Sequence, residues 1–187
     1  MLIENEFDVA APLEQVWQYL LDVPRLAPCM PGATLTEVVD DNTFKGQVTA
    51  KMGPVSLGFT GTAQIVERDE AGRRIVIRAT GSEQKGKGQA NMVVTSTLVR
   101  SGSGTRVKVA QDLQISGALA QYGRGMISDV TTMLMKSFAD CLQANIDGAN
   151  RGEAPAQVAA APVKGLRVGI KAVLMALKRL FSRGRTA

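Results

Sequence analysis

The chain has 187 residues, 45% of them apolar and 21% charged, a composition that fits one globular domain with its own core. It contains no histidine, which excludes the usual general base, the usual zinc and haem ligand and every nucleophile that a histidine activates. The net charge of +5 belongs to the C-terminal segment, because residues 1–150 carry 14 Lys and Arg against 16 Asp and Glu, whereas residues 151–187 carry 8 against 1.

The predicted elements begin with a strand over residues 2–9, followed by a short helix from Pro12 to Leu21. Proline suits the first turn of a helix, and apolar residues recur at helical spacing after it. From residue 34 to residue 117 the apolar period changes to two, and turn residues cut this stretch into six strands. Because tight turns join consecutive strands, we expect an antiparallel meander with one face turned to the core.

A long helix is predicted after Gly117, ending at about residue 149, and it must cover the inner face of the sheet. Gly123 and Gly125 cost about 1 kcal/mol each relative to alanine inside a helix, so we expect a bend or a close backbone approach there. The predicted fold class is α+β, a curved antiparallel sheet wrapped around one long helix. The apolar stripe of this helix consists of Leu119, Tyr122, Met126, Val130, Met133, Leu134, Phe138, Cys141, Leu142 and Ile146.

Alternation along the strands places many small residues on the inner face of the predicted sheet. Glycine within a strand can mark a bend, and a curved sheet needs several such positions. Alternatively, the missing volume is space for a ligand, since proteins do not tolerate large empty cores. The sequence leaves both interpretations open. The residues concerned are Gly46, Ala50, Gly61, Ala63, Ala79, Gly81, Ala90 and Ser96.

The candidate ligand-binding residues line this inner face and the facing side of the helix. Methionine adapts to irregular ligands, although ordinary core packing is the alternative for any one methionine. Ser96 and Gln111 are polar, and an unpaired polar group there costs roughly 1–3 kcal/mol unless a ligand, a backbone group or a buried water binds it. The candidates are Phe59, Met92, Ser96, Gln111, Tyr122, Met126 and Met133.

No residue is assigned a catalytic or metal-binding role. No carboxylate falls on the predicted inner face, which leaves Tyr122 and Arg124 as the groups that could move a proton or stabilise an oxyanion. Cys29 and Cys141 are far apart in sequence and in no metal-binding spacing, so we expect buried, reduced thiols rather than a disulfide. We therefore expect a protein that binds rather than catalyses, without a covalent cofactor.

The C-terminal segment is predicted to be separate from the folded domain. Residues 1–149 form the domain, residues 150–162 an Ala- and Pro-rich flexible linker, and residues 163–187 a basic amphipathic helix. At helical spacing the apolar residues of this helix gather on one side, and basic residues occupy the rest. The membrane-binding candidates are Leu166, Ile170, Val173, Leu174, Leu177, Leu180 and Phe181, together with the basic Lys171, Lys178 and Arg179.

A helix with a cationic polar face and no acidic residue is suited to lie in the plane of an anionic bilayer surface. Packing on its own domain or on a partner protein is one alternative, and binding to nucleic acid is another. We expect no nucleic-acid partner, because such tails do not need seven aligned large apolar residues. No run reaches the roughly 18 apolar residues of a spanning helix, and the N-terminus lacks a signal-peptide pattern. The expected location is cytoplasmic, peripheral on the inner face of the cell membrane.

The opening of the chain and three later segments together resemble a known family. The order of a strand, the helix AAPLEQVWQYL, then Asp22-Val23-Pro24 and Met30-Pro31-Gly32-Ala33 resembles the start of START-like (SRPBCC) domains. More narrowly, residues 1–149 are similar to the CoxG family of carbon monoxide dehydrogenase. The later matching segments are residues 51–61 (KMGPVSLGFTG), 105–109 (TRVKV) and 117–127 (GALAQYGRGMI).

The resemblance implies a helix-grip fold, in which the curved sheet grips the long helix around an apolar cavity. It also implies a role beside a molybdenum CO dehydrogenase-type enzyme complex, without a molybdenum site in this chain. In that role the chain attaches the enzyme to the membrane and carries its electron acceptor, a respiratory quinone such as menaquinone or another isoprenoid lipid. The alternatives are a START-like cyclase or hydratase, and a docking adaptor that binds no ligand.

Overall fold

The computed structural model describes residues 1–52, 55–86, 88–121 and 123–152. Tyr122, the predicted linker beyond residue 152 and the predicted helix over residues 163–187 lie outside the described residues. Two short 3₁₀ turns, Ala27–Cys29 and Gly117–Gln121, occur between the main elements. Those elements are β1 (Leu2–Val9), α1 (Leu13–Leu21), α2 (Val23–Leu26), β2 (Ala33–Val38), β3 (Thr43–Met52), β4 (Val55–Asp69), β5 (Arg74–Glu83), β6 (Gln89–Ser101), β7 (Gly104–Ile115) and α3 (Arg124–Asn150).

Seven strands form one antiparallel sheet in the order β1-β7-β6-β5-β4-β3-β2. Each strand from β2 to β6 pairs with the next one along the chain, and β1 pairs with β7. This confirms the predicted N-terminal strand and the predicted meander of six strands. The turns fall where glycine, aspartate and asparagine interrupt the apolar alternation, because these residues favour chain reversal.

The register identifies the side of the sheet that faces α1 and α3, which we call the inner face. Gly46 lies opposite Gly61, Gly61 opposite Gly81, and Gly81 opposite Ala90, so one row of small residues crosses four strands. This row alternates with buried apolar residues of the same strands and therefore shares their side, which confirms its predicted inward position. The buried residues are Phe44, Ile65, Ile75 and Leu98.

Two of these glycines are required by the close approach of neighbouring strands. A Cβ atom on Gly61 would overlap the carbonyl oxygen of Thr80, and one on Gly46 would lie 2.8 Å from a carbonyl oxygen of β2. A backbone oxygen cannot move aside as a flexible side chain can, so only glycine fits there without a shift of the strands. By contrast, a Cβ atom on Gly81 would meet the side chain of Phe59 at 3.6 Å, an ordinary contact distance. Strand packing therefore accounts for Gly46 and Gly61, whereas Gly81 has room for a Cβ atom.

The core is concentrated at one end of the sheet, which we call the closed end. There α1 and the C-terminal half of α3 pack over the end of β1 and the start of β7. Trp17 of α1 is fully buried, and the guanidinium of Arg73 lies 5.4 Å from its ring centroid. Because Arg73 also pairs with Glu14 at 2.7 Å, the turn between β4 and β5 is held on α1. The fully buried apolar residues of this end include Val9, Val16, Val107, Leu142 and Ile146.

α3 begins later than the sequence predicts. Residues Gly117–Gln121 form a separate 3₁₀ turn, and α3 starts at Arg124 with Gly123 as its N-cap. The prediction of one helix from residue 117 was wrong because the helix begins only after Gly123, whereas Gly125 lies in the first turn of α3. Among the described residues, nothing lies within 4 Å of a Cβ atom built on Gly123 or Gly125, so no close approach is seen at these positions within that part of the chain.

The prediction of two reduced thiols was also wrong. Cys29 and Cys141 form a disulfide with their Cα atoms 5.4 Å apart, and Asn145 donates a hydrogen bond to the Cys29 sulfur over 3.0 Å. Their separation of 112 residues conceals the pairing in the sequence, because only the packing of α3 on the Ala27–Cys29 turn brings them together. The disulfide fastens the C-terminal half of α3 to the closed end.

We expect Gly61→Ala to lower the free energy of unfolding by more than about 2 kcal/mol, because the added Cβ atom forces β4 and β5 apart. Gly81→Ala is the matched control, on the same face of the neighbouring strand, and should change that free energy by less than about 1 kcal/mol. Urea unfolding followed by the fluorescence of Trp17 measures both values. Equal effects of the two substitutions would contradict the requirement for glycine at residue 61.

Candidate ligand-binding cleft

The end of the sheet opposite the closed end lies outside the main cluster of core residues, and we call it the open end. It comprises the start of β1 and β6, the end of β3, β5 and β7, and the adjoining part of β4. Val48 lies on the inner face here and is 45% exposed. α3 packs mainly on β1 and on the Ala27–Cys29 turn, so its N-terminal half lies along one edge of the sheet. We call the space between this half of α3 and the open end of the inner face the cleft.

Phe59 and Met92 line the cleft from the sheet. Phe59 on β4 lies opposite Val48, and Met92 on β6 lies between Ala79 and Leu113 of its two neighbouring strands. All five side chains project from the inner face, and none of them is fully buried. The lining is therefore apolar, and alanine at position 79 leaves room above the sheet.

Met126 and Met133 lie on an exposed flank of α3 and not on its buried side, and each is 49% exposed. At about 100° per residue, they lie roughly 100–120° around the helix from Thr132. Thr132 marks the side that faces β1, since its hydroxyl donates to Asn5 Oδ1 over 3.1 Å. The predicted apolar stripe was wrong in this half of the helix, because packing on β1 turns Ile127 and not Met126 into the core. Further along, the stripe is correct for the buried Phe138, Cys141, Leu142 and Ile146.

Gln111 is a buried polar residue on the inner face at the open end. It is 7% exposed and lies between Ile3 of β1 and Val94 of β6. Its side-chain amide makes no hydrogen bond within the described part of the chain, and its atoms are not fully enclosed, so they reach accessible space. Because these atoms reach accessible space, a water molecule or a ligand group can bind them. Gln111 is therefore available to bind a polar group that enters the cleft.

Asn5 is a second polar residue at the open end, in the corner formed by β1 and β7 beneath α3. It was not among the residues predicted from the sequence. It lies opposite Val109 on β7, diagonally beside Gln111, at a spacing that is typically about 7 Å between Cβ atoms. Its Oδ1 atom accepts from Thr132, whereas its Nδ2 atom is buried without a hydrogen-bond partner. The sequence feature that could have identified Asn5 is its inward position on β1, but the apolar alternation of that strand is too loose to show which residues point inward. Asn5 and Gln111 are therefore two neighbouring amides with unused hydrogen-bonding groups, and both lie beneath α3.

The remaining predicted site residues lie elsewhere. Ser96 is on the inner face, but it lies between Ile75 and Val109 of the core and therefore closer to the closed end. Tyr122 and all the predicted membrane-binding residues lie outside the described residues. Arg124 is exposed and donates a hydrogen bond to the carbonyl oxygen of Leu2 over 3.3 Å, which holds the start of α3 on β1. Within the ranges that the structure covers, no helix is long and apolar enough to cross a membrane.

One carboxylate lies on the inner face, although the sequence predicted none there. Glu83, the last residue of β5, lies opposite Phe59, and its carboxylate accepts a hydrogen bond from the Gly88 N–H over 3.3 Å. It was missed because the turn residues that follow obscure the alternation at the end of β5. Its hydrogen bond ties the carboxylate to its own hairpin.

Groups with clearly shifted pKa values lie away from the cleft. A hydrogen bond from Arg106 lowers the pKa of Asp8 on the outer face of the sheet. Burial raises the pKa of Tyr19 at the closed end. Among the described residues, no group of three or more acidic or cysteine side chains could hold a metal ion. The described lining of the cleft therefore combines amides and apolar groups with the Glu83 carboxylate.

A polar groove of about 320 Å³ lies on the outer face of the sheet, behind the cleft. Its side chains are hydroxyls and amides, which do not suit an apolar ligand, so we place the candidate site on the inner face. The groove is lined by Thr60, Gly61, Thr62, Thr80, Gly81, Ser82, Gln89 and Asn91.

Similar solved structures include a conserved protein from Geobacillus kaustophilus, with a TM-score of 0.71, 17% identity and coverage of 80% of this chain and 97% of that chain. They also include the Zhui aromatase/cyclase from Streptomyces sp. R1128, with a TM-score of 0.58, 16% identity and coverage of 82% and 99%. A START superfamily protein from Mycobacterium smegmatis has a TM-score of 0.55, 15% identity and coverage of 79% and 98%. At these identities the likeness shows the fold, which is START-like, as the resemblance implies.

No curated protein matches the chain in sequence. The family of the carbon monoxide dehydrogenase G-type subunit (CoxG) matches residues 6–147, which is most of the chain. The match includes all of α1 and every strand from β2 to β7, together with half of β1 and most of α3. The chain therefore belongs to the CoxG family of carbon monoxide dehydrogenase.

Proposed function

We propose that the chain binds a hydrophobic ligand with a polar head in the cleft, and that it carries a respiratory quinone of the menaquinone type for a molybdenum CO dehydrogenase-type enzyme at the membrane. The observation that carries the proposal is the Gln111 amide, which is buried beside an open apolar cleft without a hydrogen-bond partner in the described chain. A stable empty state would favour an apolar side chain at this position.

The chemistry of the cleft favours a ligand with two different ends. At the corner beneath α3, the amides of Gln111 and Asn5 offer N–H donors. Across the rest of the open end, Phe59, Met92 and Ala79 present an apolar surface with space above it. A quinone fits this division, because its carbonyl oxygens accept hydrogen bonds and its isoprenoid chain is apolar.

The membrane tether and the enzyme partner have separate support. The tether rests on the amphipathic pattern of residues 166–181, where each basic residue near an anionic bilayer adds about 1 kcal/mol. The partner rests on the family name, which associates the chain with carbon monoxide dehydrogenase. In this arrangement the chain takes the ligand from the bilayer and presents it to the redox centre of the enzyme.

We further propose that the chain is not itself an enzyme. It has no histidine, and the one carboxylate that the register places on the inner face, Glu83, is bound to its own hairpin. Amides hold a carbonyl oxygen but do not exchange protons near neutral pH, so Gln111 and Asn5 suit binding rather than acid–base catalysis.

Gln111→Leu should raise the free energy of unfolding of the ligand-free protein by about 1 kcal/mol, because it replaces a largely buried amide that bonds to no described protein group with an apolar side chain. The same substitution should weaken quinone binding about tenfold, since the ligand loses a hydrogen bond. Gln114→Leu, on the outer face of the same strand, is the matched control and should change neither quantity appreciably. Urea unfolding and quinone titration measure the two effects. A destabilised Gln111→Leu variant with normal quinone binding would contradict the proposal.

Ala79→Phe should displace the ligand by filling the space beside Met92. Thr80→Phe adds an aromatic ring to the same strand on the outer face and is its control. Mass spectrometry of organic extracts should detect near-stoichiometric quinone in the wild type and in Thr80→Phe, and about tenfold less in Ala79→Phe. If no extract is enriched in quinone or another lipid, the carrier proposal fails and a docking adaptor becomes the better account.

Leu174→Glu combined with Leu177→Glu should weaken binding to phosphatidylglycerol vesicles at least about tenfold, because both changes fall in the apolar stripe of residues 166–181. Val168→Glu combined with Met175→Glu adds the same charge on the opposite side at helical spacing and should weaken binding much less. Vesicle co-sedimentation of the full chain compares the pairs. Equal losses would show that charge alone, and not an apolar stripe, governs attachment.

A further inference from the structure

The side of α3 that faces away from its buried residues carries two large apolar side chains among charged ones. Met126 and Met133 are each 49% exposed, and the three charged residues beside them are exposed as well. At about 100° per residue, all five fall within an arc of about 80° around the helix. We call this surface the exposed stripe of α3; it consists of Met126, Asp129, Met133, Lys136 and Asp140.

The exposed stripe combines apolar side chains with charges that have no partner. Methionine is enriched at protein–protein interfaces, and it adapts to the shape of its neighbours. Within the part of the chain that the structure describes, Asp129, Lys136 and Asp140 form no ion pair. An occupant of this stripe must therefore offer both an apolar surface and charges of both signs.

The order of the charges makes the exposed stripe complementary to a second copy of itself. Asp129 and Lys136 are separated by about 10 Å along the helix axis and by only about 20° around it, so they lie on the same lateral side of the stripe. A two-fold axis perpendicular to α3, between residues 132 and 133, preserves that side and brings Asp129 of each copy level with Lys136 of the other. Two identical ion pairs can then form, with Met133 of both copies at the axis between them.

The remaining charge and the relative direction of the helices fit the same arrangement. Asp140 comes level with Gly125 of the second copy, which has no side chain, so the carboxylate keeps its contact with water. A parallel pair would instead place Asp129 beside Asp129 and Lys136 beside Lys136, and such juxtapositions of like charge are unfavourable. The charges of the stripe therefore select the antiparallel pair.

We propose that two copies of the chain form an antiparallel, two-fold symmetric dimer through the exposed stripe of α3, with Asp129–Lys136 ion pairs on both sides of Met133. A contact of about four helical turns is smaller than a standard protein–protein interface, so the dimer should dissociate at about 10–100 μM. This inference goes beyond the proposed function, and it depends neither on the ligand of the cleft nor on the C-terminal segment.

Charge reversal tests the ion pairs, with dimerisation of the full chain measured by sedimentation at low ionic strength over a series of concentrations. Asp129→Lys and Lys136→Asp should each weaken the dimer at least about tenfold, because like charges then meet at both pairs. An equimolar mixture of the two variants should recover the dimer, since both pairs of a mixed dimer again join opposite charges. Asp140→Lys reverses a charge of the same stripe opposite Gly125, and as the matched control it should dimerise like the wild type.

Three outcomes of this experiment would overturn the inference. The first is a wild-type chain that stays monomeric at millimolar concentration. The second is a mixture of Asp129→Lys and Lys136→Asp that does not recover the dimer. The third is a dimer that neither charge reversal weakens, which would place the contact outside the exposed stripe, for example in the C-terminal segment.

Crosslinking tests the antiparallel arrangement. The sequence has only two cysteines, and they form the disulfide, so Met133→Cys or Met126→Cys supplies a single reactive thiol. In the antiparallel pair the two copies of residue 133 flank the axis, whereas the two copies of residue 126 are about 20 Å apart. A short bismaleimide should therefore join two Met133→Cys chains but not two Met126→Cys chains, although both positions are equally exposed. Equal crosslinking at the two positions would overturn the proposed arrangement.

Quinone extraction and vesicle binding of Asp129→Lys separate these results from the carrier and tether proposals. The substitution changes neither the described lining of the cleft nor residues 166–181, so both measurements should match the wild type. Failure to dimerise would leave the carrier and tether proposals standing, and loss of either of them would leave the dimer standing.

Discussion

The close approach of β4 and β5 at Gly61 is the constraint on which the rest of the structure depends. A side chain at this position would overlap the Thr80 carbonyl oxygen, so the sheet holds its shape only because residue 61 has none. The same row of small residues continues through Gly81 and Ala90. At Gly81 the surrounding atoms leave room for a Cβ atom, and the side chain of Ala90 is only a methyl group. One sequence feature therefore accompanies both the close packing of the strands and the shortage of side-chain volume on the inner face.

This constraint divides the domain into two ends with different tasks. At the closed end, Trp17 and Leu142 are fully buried and the Cys29–Cys141 disulfide joins α3 to the turn before β2. Packing and the crosslink at this end stabilise the domain against unfolding. The open end can therefore keep unfilled surface and unpaired amides, each of which is unfavourable by itself. A binding site in a small domain needs a separate, well-packed end, because the free energy of unfolding is a small difference between large opposing terms.

The sequence predicted the fold well because alternation and turn residues are local signals. All seven strands and the inward row of small residues follow from them, and so does the inward position of Gln111. The errors have non-local causes. The disulfide depends on contact between residues 112 positions apart, and the exposure of Met126 depends on how α3 rests against the edge strand β1. Asn5 was missed because an unpaired amide is visible only when its three-dimensional neighbours are known.

The arrangement of polar and apolar groups also gives the cleft a direction. Gln111 and Asn5 lie at the corner formed by β1 and β7, beneath the first half of α3. From that corner the inner face runs through Met92 on β6 to Phe59 and Val48 on β4 and β3, with exposure greatest at Val48. A ligand with one polar end is therefore most stable with its head in the corner and its apolar chain toward the mouth. In the reverse orientation, the two amides would face hydrocarbon and the ligand head would lose both donors. The head would thus lie deepest, and the apolar chain would leave the cleft at the far side of the inner face, beside Val48.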